Sequence, residues 1–85
     1  MTMVTERVLV TVGHALQCPS CRELLRQDID SVLMRQGLTR SQRELIKGFS
    51  PQDWATVGTL AKALGVPRCE LEEATRHPRC RLRHL

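Results

Sequence analysis

The stretch VGTLAKALGVPRCELEEA, residues 57–74, decides the fold of this chain. Leu60 and Leu64 stand four residues apart and therefore share one face of a helix. Gly65 follows directly, and glycine readily takes the left-handed conformation that ends a helix. Leu71 resumes the apolar face beyond the turn. The segment therefore predicts two packed helices joined by a tight turn.

This pattern resembles the helix-turn-helix of bacterial and phage transcription regulators, over residues 57–74 only. Ala61 is the small residue that lets the second helix approach the first, and Val66 points inward from the turn. The resemblance implies that the second helix, residues 67–77, lies in the major groove of DNA. The alternative interpretation is a generic helical hairpin in a small core, since Ala, Gly and Leu also reach such spacing by chance.

The remaining sequence predicts two more helices and a short strand near each end. A helix over residues 20–36 carries a stripe of apolar residues and stops at a glycine. The Thr39 and Gln42 pair is typical of a capping box and opens a helix that ends at Gly48. Ser50 with Pro51 predicts the start of the helix that runs to Leu64.

Residues 4–12 are β-branched and partly alternating, which predicts a strand, and residues 81–85 predict a second short strand. The sequence thus predicts a mainly α, four-helix single domain over residues 1–85 that contains the helix-turn-helix. We expect a structural zinc site to join its N- and C-terminal strands.

Composition limits the class of protein. A chain of 85 residues is the size of one domain, and one Trp, one Phe and no Tyr leave a thin aliphatic core. Such small domains often need a metal or a disulfide for stability. No run approaches the ~20 apolar residues of a membrane helix, and Glu6 with Arg7 interrupts the apolar run of a signal peptide. We expect a cytoplasmic protein, in which four cysteines serve metal or redox chemistry.

Two short motifs predict the metal site. Cys18 and Cys21 form a C-x-x-C pair, and His77 and Cys80 form an H-x-x-C pair. Because Zn²⁺ favours four sulfur and nitrogen ligands in a tetrahedron, the two pairs together can complete one structural site. Cys69 could replace His77 in this set, and His14 is a third candidate.

The Cys18-Pro-Ser-Cys21 motif also resembles the active-site corner of glutaredoxin and thioredoxin. A helix N-terminus lowers the pKa of the first thiol of such a motif and makes it nucleophilic. The resemblance covers about twenty residues and implies a thiol-disulfide oxidoreductase. The helical pattern of residues 38–76 departs from that fold, which needs further central strands. No other catalytic constellation is present, and we expect the protein not to be an enzyme.

Charge bears on the partner. The formal net charge is +4, which is compatible with nucleic acid. The candidate DNA-binding residues are arginines of the last helix and the tail: Arg68, Arg76, Arg79, Arg81 and Arg83. Three glutamates on the same helix, Glu70, Glu72 and Glu73, would be repelled by phosphates.

Two main hypotheses follow. In the first, the chain is a small zinc-binding helix-turn-helix transcription regulator that binds DNA, as a homodimer because one short helix rarely supplies enough specificity. In the second, the zinc-stapled scaffold is an adaptor that binds a protein of the transcription machinery or another regulator, and the acidic helix takes part in that contact.

Overall fold

A computed structural model describes residues 4–76 of the chain. This range forms six α-helices and no strand. In chain order they are α1 (Glu6–Gln17), α2 (Pro19–Gln27), α3 (Ile29–Arg35), α4 (Arg40–Lys47), α5 (Val57–Leu64) and α6 (Arg68–Thr75). The prediction of a mainly helical protein is confirmed, whereas the count of four helices is wrong. The predicted strand at residues 81–85 lies outside the described residues.

α1 occupies the segment that was predicted to be an N-terminal strand, so that prediction is wrong. Val8, Val12 and Ala15 are completely buried, and their spacing of four and three residues is that of one helical face. Thr5 caps the helix, because its side chain accepts a hydrogen bond from the Val8 amide at 3.4 Å. Burial of this face against other helices overrides the weak strand preference of valine.

The predicted helix over residues 20–36 is broken into α2 and α3 at Asp28. The backbone of Asp28 is not helical, with φ −154° and ψ 73°, and its carboxylate accepts a hydrogen bond from the Ser31 amide at 3.3 Å. Asp28 is therefore the N-cap of a new helix. The break lets Leu25 in α2 and Leu33 in α3 both reach the core.

The capping box at the start of α4 is confirmed. The Gln42 amide donates to Thr39 Oγ1 at 3.2 Å, and the Thr39 amide donates to Gln42 Oε1 at 2.8 Å. The helix ends at Gly48, as predicted. The two reciprocal hydrogen bonds satisfy two amides that an uncapped helix would leave without partners.

The helix expected to begin at Ser50 and Pro51 begins instead at Val57. Ser50 and Asp53 do form a reciprocal pair, with the Ser50 amide donating to Asp53 Oδ2 at 2.8 Å and the Asp53 amide donating to Ser50 Oγ at 3.3 Å. This turn does not continue into a helix, because Thr56 is extended at φ −142° and ψ 165°. Thr56 caps α5 in its own capping box.

The turn between α5 and α6 follows the prediction. Gly65 adopts φ 75° and ψ 29°, and the Val66 amide donates to the Ala61 carbonyl at 3.1 Å across the turn. Pro67 is the N-cap of α6. The last helix ends at Thr75, two residues earlier than predicted.

α1 is the central element of the core. It packs most extensively against α6 and also against α2, while α5 packs on α6 and α3 on α4. The largest fully buried side chains are Leu33, Ile46, Leu60, Leu71, Val8, Val12 and Val32. The packing of α1 between α2 and α6 determines which residues surround its C-terminal end.

Candidate metal centre

Three potential metal ligands meet where α1 gives way to α2. The ligand atoms of His14, Cys18 and Cys21 all lie within 4.8 Å of one another. His14 Nε2 lies 3.0 Å from Cys21 Sγ. Among the described residues, this is the one group of three or more His, Cys, Asp or Glu side chains whose ligand atoms lie this close together.

The local sequence explains why these side chains converge. Cys18 ends α1 and begins α2, with an extended backbone at φ −112° and ψ 104°. Its amide donates to the His14 carbonyl at 2.9 Å, and its carbonyl accepts from the Arg22 amide at 3.0 Å. Pro19 suits the first position of α2, because its fixed φ matches a helix and it has no amide to satisfy. The chain therefore turns sharply at Cys18 and brings Cys21, in the first turn of α2, back against His14.

Arg22 fixes the angle between the two helices. Its guanidinium donates to the Leu16 carbonyl at 2.8 Å and to the Ala15 carbonyl at 3.4 Å, at the C-terminal end of α1. A cation is favourable at this end of the helix dipole. Since Arg22 directly follows Cys21, the same contact holds Cys21 against α1.

The site is mostly shielded from water. The exposed fractions of His14 and Cys21 are 5% and 3%, whereas Cys18 is half-buried. Cys18 and Cys21 are not joined by a disulfide. Buried donors on two helices that are already close together lose little further freedom when they bind an ion.

The donor set of one imidazole nitrogen and two sulfurs fits Zn²⁺. Tetrahedral coordination with Zn–S near 2.3 Å and Zn–N near 2.0 Å separates neighbouring ligand atoms by roughly 3.6–3.8 Å. The His14 Nε2–Cys21 Sγ distance of 3.0 Å would have to open by about half an ångström to reach that range, and the Cys18 sulfur lies within 4.8 Å of both atoms. Soft sulfur ligands disfavour Mg²⁺ and Ca²⁺, which take oxygen.

Only part of the predicted ligand set is brought together. Cys18 and Cys21 are in the group, and His14 joins them. His77 and Cys80 lie outside the described residues, and so does the predicted zinc-mediated link between the N- and C-terminal segments. Cys69 is exposed on α6 and does not belong to the group.

The sequence does contain a signal for His14. It lies four residues before Cys18, which is one helical turn, so a helix ending at Cys18 would have brought its side chain to the same side. The strand predicted over residues 4–12 does not place His14 and Cys18 on one helix, so this spacing was missed.

The predicted DNA-binding arginines are only partly described. Arg68 and Arg76 are exposed on α6, and the Arg68 Nε atom donates to Glu72 Oε1 at 2.6 Å. Arg79, Arg81 and Arg83 lie outside the described residues.

Comparison with known proteins gives no relative: no family model matches the sequence, and neither a curated protein nor a solved structure matches it. None of the described helices combines the length and apolar character needed to cross a bilayer.

Proposed function

We propose that this protein is a small zinc-binding domain, in which His14, Cys18 and Cys21 supply three ligands. The observation that carries the proposal is the convergence of their ligand atoms within 4.8 Å. The ion would link α1 to α2 in a domain whose core is thin. Structural zinc contributes on the order of 10 kcal/mol in small domains, which is comparable to the whole stability of a protein this size.

We further propose that the segment after α6 supplies the fourth ligand. A Cβ atom built on Gly13 would lie 3.1 Å from Thr75 Cγ2, so the end of α6 lies beside the residue that precedes His14. His77 follows Thr75 by two residues and Cys80 by five, and each residue of chain spans up to about 3.5 Å. The chain is therefore long enough for either side chain to reach the ion, and one of them would complete a tetrahedral site.

Metal content and cobalt spectroscopy test this proposal. Native mass spectrometry should show one zinc per chain, which a chelator removes. In the Co²⁺-substituted protein, visible bands should indicate tetrahedral geometry, and near-ultraviolet bands from thiolate ligands should weaken when Cys18 is changed to Ser. A protein that binds no zinc, or that binds it equally well after this change, would rule out the site.

The fourth ligand is identified by a matched pair of variants. If Cys80 is the ligand, Cys80→Ser reduces the thiolate bands and lowers zinc affinity, while His77→Gln leaves both unchanged. If His77 is the ligand, only His77→Gln lowers affinity and neither change reduces the thiolate bands. Equal affinity in all three proteins would mean that neither residue binds the ion.

We propose that the zinc-binding domain acts as an adaptor that binds another protein. The negative charge of α6 favours this function over recognition of DNA by that helix. The helix carries three glutamates, Glu70, Glu72 and Glu73, against one arginine, Arg68. An exposed carboxylate beside a phosphate backbone is repelled. Affinity purification should return one stoichiometric protein partner that survives nuclease treatment.

A DNA-binding transcription regulator is the second candidate. It is supported by the left-handed Gly65 turn between α5 and α6, which is the feature that the resemblance to helix-turn-helix regulators requires. A regulator of this kind would lose affinity for duplex DNA steeply as salt rises, because binding releases counterions. A response that stays flat with salt would exclude this candidate and leave the adaptor.

A further inference from the structure

A groove of about 390 Å³ lies between α2, α4 and the turn that follows α4. The groove is lined by apolar and basic side chains. We call its apolar side chains, Leu25, Ile29, Ile46, Phe49 and Trp54, the floor, and its basic side chains, Arg22, Arg26 and Lys47, the rim. We call this feature the α2–α4 groove, and its size is that of a site for one or two side chains of a partner.

Both aromatic residues of the protein line this groove. The sequence has one Phe and one Trp and no Tyr, and Phe49 and Trp54 are both half-buried there. Their rings meet edge to face, with centroids 5.9 Å apart and planes at 67°. Half-exposed aromatic side chains in a concave site are typical anchors of protein interfaces.

The charged residues that line the α2–α4 groove are all cationic. The guanidinium of Arg22 is held by the carbonyls of Ala15 and Leu16, so it is fixed in place at the rim. Arg26 pairs with Glu23 at 3.4 Å, but both side chains are largely exposed, at 75% and 57%. Such a surface pair is weak and exchanges readily for another carboxylate.

Lys47 contributes less than the two arginines. Its Nζ atom lies 3.1 Å from Asp30 and 3.5 Å from Glu44. The hydrogen bond that Lys47 donates to the Asp30 carboxylate is the main reason that the pKa of Lys47 is raised. Lys47 therefore stays charged, but the negative charges of Asp30 and Glu44 offset much of its attraction for an anion. The attraction for an anionic partner comes chiefly from Arg22 and Arg26.

We propose that the α2–α4 groove binds an acidic amphipathic helix of a partner protein, whose apolar residues contact the aromatic floor and whose carboxylates contact the two arginines. Charge complementarity and the apolar floor together select this partner. The proposal rests on the adaptor function and specifies its contact surface.

A second copy of this chain is a poorer occupant. The acidic residues of α6 lie on its exposed face, and its apolar residues Leu71 and Ala74 are buried in the core. Among the described residues, Met34 is the large hydrophobic side chain that is exposed, and it belongs to α3. α6 therefore presents carboxylates without the apolar side chains that the floor requires.

The test uses a synthetic amphipathic peptide of about four helical turns, with Leu and Phe on one face and Glu on the other. Binding is measured by anisotropy of a labelled peptide and by the emission of Trp54, which reports on the groove because it is the one tryptophan of the chain. One control peptide has Lys in place of Glu, and another has Ser in place of Leu and Phe. We expect the acidic amphipathic peptide to bind, and both controls to bind at least about tenfold more weakly, which corresponds to about 1.4 kcal/mol.

Two charge-reversal variants place the binding site. Arg26 is in the last turn of α2 and Arg35 is in the last turn of α3, and both are exposed, but Arg26 alone lines the groove. Arg26→Glu should weaken peptide binding about fivefold or more, while Arg35→Glu should change it less than about twofold. Equal effects of the two variants, or no change in Trp54 emission, would overturn the proposal.

The other occupants give distinct results. Concentration-dependent dimers in sedimentation experiments that lose the ability to bind the acidic peptide would mean that a second copy covers the groove. Displacement of the labelled peptide by a single-stranded oligonucleotide at much lower concentrations than the unlabelled acidic peptide requires would mean that nucleic acid occupies the groove. The peptide could fail to bind while affinity purification after nuclease treatment still returns a protein partner. In that case the α2–α4 groove is not the binding site, but the adaptor function is retained.

Discussion

Thr75, in the last turn of α6, packs directly against Gly13, the residue before His14 in α1. A Cβ atom on Gly13 would lie 3.1 Å from Thr75 Cγ2 and 3.6 Å from Thr75 Cα. Both Gly13 and His14 are buried at this crossing. The absence of a side chain at Gly13 therefore allows α6 to approach the end of α1 that carries the candidate metal centre.

Gly13→Val should destabilise the protein by about 1–3 kcal/mol, because the added side chain must push α6 away. Chemical denaturation measures the change. Gly58→Val, in α5, is the matched control, since a Cβ there meets no atom closer than 3.7 Å, and its stability should stay within about 0.5 kcal/mol of the parent protein. Adding Thr75→Ala to Gly13→Val should restore part of the loss, because it removes the nearest atom; no coupling between the two changes would contradict the contact.

Cys18→Ser should have opposite effects with and without zinc. Cys18 is the N-cap of α2 but makes no capping hydrogen bond through its side chain, and Ser is a favoured N-cap residue. In the presence of a chelator, the variant should therefore be at least as stable as the parent. In excess zinc it should lose about 2 kcal/mol or more, which lowers Tm by roughly 8–16 °C for a domain of this size.

Cys69→Ser is the control for that experiment, since Cys69 is exposed and does not belong to the group of ligands. Its Tm should follow that of the parent protein under both conditions. Thermal unfolding followed by circular dichroism provides both measurements. A Cys18→Ser protein with the same zinc-dependent rise in Tm as the parent would remove Cys18 from the ligand set.

The sequence predicted those parts of the fold whose signals are local. The capping box of Thr39 and Gln42 requires four consecutive residues, and the turn at Gly65 requires one residue that can take a positive φ. The C-x-x-C pair is local in the same sense, because three residues of spacing bring both thiols to one end of a helix. Each of these features was found at its predicted residues.

The errors concern features that depend on distant contacts. Val8, Val10 and Val12 alternate like a strand, while Val8, Val12 and Ala15 are spaced like a helix, and the packing of α1 between α2 and α6 decides between the two patterns. His14 was only a third candidate ligand for the same reason, since its position opposite Cys21 exists only if α1 is a helix. The sequence therefore predicted the two cysteine ligands of the site, whereas the place of His14 depends on tertiary packing.

Asp28→Ala should destabilise the protein by about 0.5–2 kcal/mol, since it removes the carboxylate that caps α3. Asp28→Asn should change stability by only a few tenths of a kcal/mol, because the amide oxygen can accept the same hydrogen bond from Ser31. Urea denaturation with fitted midpoints measures both variants. Equal stability of the Ala and Asn variants would show that Asp28 does not cap α3, and that the break between α2 and α3 has another cause.

Gly65→Ala should cost about 1–2 kcal/mol, because alanine is strained at the φ of 75° that ends α5. The loss is purely one of backbone conformation, since a Cβ at this position would meet nothing within 4 Å. Gly48→Ala is the matched control: Gly48 also ends a helix, but at φ −79° and ψ −5°, which alanine adopts without strain. That variant should be neutral or slightly more stable, because alanine restricts the unfolded chain more than glycine does. Thermal unfolding of the two variants compares the positions directly, and a Gly65→Ala protein as stable as Gly48→Ala would contradict the left-handed turn on which the helix-turn-helix hypothesis depends.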